Sequence, residues 1–230
     1  MTISETTKRS LLRVCQTVSS EGMGFVVGNK TKYVITCAHC VPAPCGPGIE
    51  AWQKGTTVQI KTLTQDLKGA KSGVMWLTGY EPYLDFAVLS CLPFHDYGGN
   101  CSTWCKTVAT SKLLASLAGI PLSQDVEPPE TVCFFTQDNC LLTANSPKLL
   151  MWKHNVWVQY VLADKSQSVG GGTSGTPIFD SSDNVWGFLN SSYGTEPRIL
   201  VVNLKAVLPA WLLREIDLTA YLSFGDEYLA

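Results

Sequence analysis

The sequence predicts an all-β fold, built as barrels or a sandwich. Two observations carry this: about ten short runs alternate apolar and polar residues along the whole chain, and Gly, Pro, Asn or Asp bounds them. A third concerns composition. Hydrophobic residues make up 45% and charged residues 16% of 230, the balance of a globular body with a real core rather than a disordered chain. That length suits two small domains or one large all-β unit.

Taken in order, the strand-like runs are Gly24 to Val27, Tyr33 to Thr36, Val58 to Leu63, Val74 to Thr78 and Phe86 to Leu89. The second half adds Val132 to Phe135, Val156 to Leu162, Pro177 to Phe179, Val185 to Leu189 and Leu200 to Leu204. Between the halves, the stretch from Leu92 to about Gly119 contains Gly98-Gly99-Asn100 and the Cys101/Cys105 pair, and it reads as an irregular linker or insertion. Only the C-terminal segment has a helical pattern, in which Val207, Leu208, Trp211, Leu212 and Ile216 recur at helix spacing with Pro209 near the start. There is no internal repeat and no low-complexity tract.

Composition excludes several partners. A net charge of −2 supplies no basic field for nucleic-acid phosphates or anionic lipid. No window approaches the roughly 18 to 20 apolar residues that span a bilayer, and the polar breaks in MTISETTKRSLLRVCQTVSS argue against a signal peptide. The chain therefore reads as non-secreted and cytoplasmic. Nine cysteines, an odd number, cannot all pair within one chain, and free thiols in a reducing compartment account for them. Cys37-x-x-Cys40 and Cys101-x-x-x-Cys105 have the spacing of zinc corners, but a tetrahedral site wants four converging ligands. No metal and no cofactor are expected.

The strongest chemical signal is Gly171-Gly172-Thr173-Ser174-Gly175-Thr176-Pro177, followed by the apolar pair Ile178-Phe179. Glycines two before and one after a serine let the backbone turn tightly, so that the N–H groups of Gly172 and Ser174 converge on one spot, as a tetrahedral oxyanion requires. A hydroxyl is a poor nucleophile without a base. His39 follows the strand Val34-Ile35-Thr36, where a side chain can face a cleft, whereas His95 falls in the linker and His154 in a polar stretch; those two read as structural or surface histidines. Asp85 stands directly before the apolar run Phe86-Ala87-Val88-Leu89, and a carboxylate entering such a strand needs a donor partner.

These residues, in this order, resemble the trypsin-like serine peptidases, and the cytoplasmic and Htr-type branch more than the secreted digestive enzymes. Gly22-x-Gly24-Phe25-Val26-Val27 is similar to the family's first-barrel strand, Thr36-Cys37-Ala38-His39 to its histidine motif, Asp85-Phe86-Ala87-Val88-Leu89 to its aspartate motif and Gly172 to Pro177 to its serine motif. His39 and Asp85 are 46 positions apart, and Asp85 and Ser174 are 89 apart, distances that fit one barrel followed by most of a second. The resemblance spans about residues 20 to 215. It implies two antiparallel six-stranded β-barrels with a C-terminal helix: an N-terminal barrel over 1–98 carrying His39 and Asp85, a linker or insertion over 99–118, and a C-terminal barrel over 119–230 carrying Ser174. The implied activity is a serine endopeptidase acting on protein or peptide substrates. Ser174 attacks the scissile carbonyl, His39 is the general base, Asp85 orients it, and Gly172 and Ser174 form the oxyanion hole.

Some features depart from the pattern. Thr173 stands where secreted members carry an Asp, Ser20 and Glu21 stand where the family's cysteine matching Cys40 would precede the first strand, and no PDZ-like segment follows before Ala230. A threonine cannot receive the ammonium that an activating cut would create, and Val18-Ser19-Ser20-Glu21 offers no such cut. The chain is thus expected to fold directly into a competent enzyme, with substrate or a regulatory partner protein as the alternative source of order in the oxyanion loop. By the same pattern Ser168 lies at the base of the primary pocket and Asn190, Ser191 and Ser192 wall it, which selects against Arg and Lys unless Asp164 reaches in. Two other readings fit the motifs: an inactive trypsin-like fold used as a binding module, and a protease that processes a viral polyprotein.

Overall fold

Among the described residues, twelve strands close into two six-stranded antiparallel barrels in the computed structural model, which describes residues 3–16, 21–44, 56–63, 71–91, 101–150, 156–193 and 196–216, with backbone alone at 101–105. The first barrel contains β1 (Leu11–Cys15), β2 (Glu21–Val27), β3 (Tyr33–Thr36), β4 (Thr57–Thr62), β5 (Ser72–Glu81) and β6 (Phe86–Ser90), hydrogen-bonded in the order β1-β2-β3-β6-β5-β4. Pairing of β4 with β1, Ile60 opposite Val14, closes it. The second contains β7 (Thr131–Phe135), β8 (Leu141–Leu150), β9 (Trp157–Leu162), β10 (Pro177–Phe179), β11 (Val185–Ser192) and β12 (Arg198–Asn203), in the order β10-β11-β12-β9-β8-β7. It closes where Phe179 pairs with Cys133. Closure leaves neither sheet with a free edge.

Each barrel fills its interior with branched and aromatic side chains, Val14, Val34, Ile60 and Leu89 in the first and Phe134, Tyr160, Ile178 and Trp186 in the second. A third cluster joins Phe25, Ile35 and Val88 to Phe179, Phe188 and Leu212, and the rings of Phe86 and Phe188 lie 6.2 Å apart. This shared core fixes the barrels against each other, so residues at its rim keep their spacing.

All ten strand-like runs appear as strands, within a few residues of their expected ends. Two strands had no such signal. In β1 four of five residues are buried, so Leu11-Leu12-Arg13-Val14-Cys15 is a short apolar run without the alternation that marks a half-exposed strand. In β8 the turn-like Asn145-Ser146-Pro147 lies at a bulge between Asn145 and Lys148, with Ser146 at φ 56°, and this reads as an interruption although the strand continues past it.

Two corrections concern helices. The stretch read as irregular holds a helix, here α2 (Cys101–Ala115), after the one-turn α1 (Glu5–Arg9) near the N-terminus. Its buried residues Thr107, Thr110 and Leu114 share one face, and because threonines supply two of them a search for apolar periodicity passes over it. Thr110 docks it, its Oγ1 accepting from the Val74 N–H at 2.8 Å and donating to the Lys106 carbonyl at 2.9 Å. At the C-terminus the single expected helix is two short ones, α3 (Leu204–Val207) and α4 (Ala210–Glu215). Pro209 separates them, because a proline disfavours helical backbone at the residue before it, and Leu208 is extended at φ −66°, ψ 119°. Among the described residues no helix is long and apolar enough to cross a membrane.

Candidate active site

β3 ends at Thr36, whose hydroxyl donates to the Met23 carbonyl at 2.7 Å and ties the strand end to β2. Cys37 is extended, and a 3-10 turn over Ala38–Cys40 follows, presenting His39 with its side chain half exposed while Ala38 and Cys40 stay buried. Asp85 lies in the turn before β6, with φ 53° in the left-handed region that non-glycine residues seldom occupy. That turn aims its carboxylate at His39 twice. Oδ2 is 2.7 Å from His39 Nδ1, and Oδ1 accepts the His39 backbone N–H at 2.9 Å. The Asn190 amide, from β11 of the other barrel, also donates to Oδ2.

An ionised carboxylate only accepts, so Nδ1 must carry the ring proton and Nε2 is left as an acceptor. The hydrogen bond to Asp85, followed by contact with Cys40, pushes the His39 pKa up to about 10, while partial burial pulls the other way. A carboxylate so placed favours the imidazolium, the form a general base reaches when it takes a proton.

The serine loop is held from several sides. Thr173 is buried and donates its hydroxyl to the Gly170 carbonyl at 3.0 Å, Gly175 N–H donates to Leu189 O at 2.7 Å, and the Ser174 carbonyl accepts the Met23 N–H at 2.7 Å. Thr176 anchors the exit through Oγ1 to Phe135 O at 2.8 Å. Gly172 and Gly175 have φ of 81° and 88°, and a Cβ at Gly175 would fall onto the Met23 carbonyl, so the turn needs glycine there on both counts. Among the described residues the N–H groups of Gly172 and Ser174 donate to no protein acceptor. Two uncommitted donors flanking Ser174 are what an oxyanion would use.

Some of the expected site residues are brought together. His39 and Asp85 are in direct contact, and the Ser174 carbonyl lies 3.5 Å from Cys40 Sγ, the neighbour of His39. Ser192 Oγ donates to Val169 O at 3.3 Å, which joins β11 to the loop before Ser174. Ser168 is exposed and Ser191 part-exposed. Asn190, expected in the pocket wall, commits its side chain to Asp85; the apolar run Val185–Leu189 ends at it, which is the one sign that this position leaves the core. Asp164 accepts from Ser166 N–H at 2.9 Å and Ser166 Oγ at 2.6 Å, within its own turn. Gly22 packs against Cys40: a Cβ there would overlap the thiol. His95, His154, Val18 to Ser20 and the side chains of Cys101 and Cys105 lie outside the described residues.

A cavity of about 520 Å³ is elsewhere, lined by Gly28, Ile120, Leu122, Asp125 and Asp180 among others, and none of the expected site residues borders it. The chemistry argues for the surroundings of His39 and Asp85 over this cavity, since among the described residues no histidine lines the cavity to act as base.

A model of the trypsin-like peptidase domain matches residues 22–187. No curated protein sequence matches the chain. Among solved structures, a human pathogenic astrovirus serine protease is 17% identical with a TM-score of 0.54, over 90% of this chain and 96% of that one. The active form of the Rv3671c protease from M. tuberculosis is 17% identical with a TM-score of 0.56, over 91% and 82%. Deg5 is 16% identical with a TM-score of 0.55, over 88% and 87%. At such identities the likeness is one of fold.

Proposed function

The chain belongs to the trypsin-like peptidase domain family, and from that premise we propose that it is a serine endopeptidase in which Ser174 is the nucleophile, His39 the general base and Asp85 the residue that orients it. One observation carries the reading: Asp85 grips His39 at both ring and backbone, at 2.7 and 2.9 Å. The ring contact fixes the tautomer, and the backbone contact holds the carboxylate against the His39 turn.

In the proposed reaction Ser174 Oγ adds to the scissile carbonyl while His39 Nε2 takes its proton. The oxyanion forms against the N–H groups of Gly172 and Ser174, the imidazolium returns the proton to the leaving amine, and water repeats the sequence on the acyl-enzyme. Thr173, bonded to Gly170, holds the loop with a neutral contact where an ion pair would need a buried ammonium. Labelling by a fluorophosphonate probe, with cleavage of an unfolded protein substrate, tests the reading. A chain that binds peptides but neither labels nor cuts them is instead a binding module.

The pH profile follows from Asp85. The base must be neutral to act, and the carboxylate favours its charged form, so the rise of kcat/KM with pH is displaced upward from the ordinary imidazole value of 6.5. A limb centred below 6.5 in the measured profile would say that the Asp85 contact does not govern the base.

For the acyl side of the cut we propose uncharged, small to medium apolar side chains. Ser168 and Ser192 are neutral, and Asp164 is turned to Ser166, so none of these described residues offers a carboxylate to a basic side chain. Profiling with a peptide library should show this preference; dominant cleavage after Arg or Lys would refute it.

A further inference from the structure

Three metal-binding groups that the proposed reaction does not jointly use meet beneath the base. Cys37 Sγ, Cys40 Sγ and a ring nitrogen of His39 all lie within 4.8 Å of one another. Both thiols are buried; Cys37 donates to Leu189 O at 3.3 Å and Cys40 to Ser174 O at 3.5 Å. Opposite Cys40 stands Gly22, so no cysteine of β2 competes for that sulfur. His39, half exposed, opens the cluster to the cleft.

We propose that this cluster is a site for a thiophilic divalent cation, with zinc as the reference ion, and that filling it switches the enzyme off. Two thiolates three positions apart in the chain and an imidazole are a common zinc donor set, with water or a substrate group free to take the fourth position. Tetrahedral zinc holds such atoms roughly 3.3 to 3.8 Å apart, so the observed spacing needs closing by only about 1 Å. Binding releases the thiol protons to solvent. Inhibition follows whichever ring nitrogen binds: at Nδ1 the ion displaces Asp85, and at Nε2 it occupies the lone pair that must receive the Ser174 proton. The ion therefore competes with catalysis for one residue, and a site of this kind is regulatory rather than structural.

The inhibition rests on the function proposed above, but the site is read without it. The full-length Ser174→Ala chain, reduced and stripped with a chelator, is titrated with Co²⁺ and then Zn²⁺. One equivalent of Co²⁺ should give a thiolate-to-cobalt charge-transfer band that one equivalent of Zn²⁺ bleaches, and Cys37→Ser and Cys40→Ser should each weaken zinc binding by at least about tenfold. Serine keeps the shape of cysteine at a slightly smaller volume, and a folded variant is verified by circular dichroism. In the otherwise wild-type chain, zinc should suppress peptide cleavage reversibly, and Cys37→Ser should raise the zinc concentration for half-inhibition by a similar factor. Absence of the cobalt band overturns the site, and so does half-inhibition unchanged by Cys37→Ser. Loss of two thiols without metal uptake also overturns it, in favour of a Cys37 to Cys40 disulfide. Metal binding in a chain that never hydrolyses peptide supports the site and sinks the peptidase reading alone.

Discussion

Ser174→Ala should abolish both fluorophosphonate labelling and peptide cleavage, with kcat falling by about six orders of magnitude. The size of the effect comes from the unit the residue belongs to. Removing Oγ leaves His39 with no proton to take and the acyl-enzyme with no atom to form on, so only the oxyanion donors and binding remain. Stability should hardly change, because the Ser174 side chain is not what fixes the loop: the Ser174 carbonyl accepts from Met23, Gly175 N–H donates to Leu189 and the Thr173 hydroxyl donates to Gly170. The measurement is labelling and turnover beside a thermal melt of both forms. Persistent labelling of the alanine variant would move the nucleophile elsewhere, and a collapsed melting temperature would mean that the side chain supports the loop.

That separation between backbone and side chain also explains what the sequence discloses. The serine loop is legible because its geometry demands glycine: at Gly175 both the positive φ and the Met23 carbonyl exclude a side chain, and the demand is written as a local pattern. His39 is legible as the end of an apolar strand and Asp85 as the start of one. Asn190 is not, because its task is set by a partner 105 positions away on the other barrel, and no local pattern records a cross-barrel contact. The same holds for α2, whose buried face carries Thr107 and Thr110, the latter bonded to β5, rather than an apolar stripe. β1 and β8 escape for opposite reasons, one too uniformly buried to alternate and the other interrupted by a bulge that imitates a turn. The left-handed backbone of Asp85 had no sequence sign either, since aspartate before a strand is common in ordinary turns.

Asp85→Asn should lower kcat by roughly 10⁴-fold while leaving the fold intact. The substitution keeps the shape and replaces one acceptor oxygen by an NH₂ donor. Asp85 now receives hydrogen bonds from three directions: His39 Nδ1, the His39 backbone N–H and the Asn190 amide. An asparagine cannot accept all three. If its oxygen stays with the backbone N–H, its NH₂ faces both the Asn190 NH₂ and His39 Nδ1, and the ring answers by moving its proton to Nε2, the tautomer that cannot accept from Ser174. If the amide turns over, the backbone contact is lost and the left-handed turn loses the bond that aims it. Either arrangement removes the base without removing a side chain. The probe-labelling rate should fall in parallel with kcat, since both need the Ser174 proton taken, whereas KM should move little. Asn190→Ala keeps the carboxylate and the tautomer, so its effect should be much smaller. A drop of less than about tenfold for Asp85→Asn, or an equal drop for Asn190→Ala, would place the orienting charge somewhere other than Asp85.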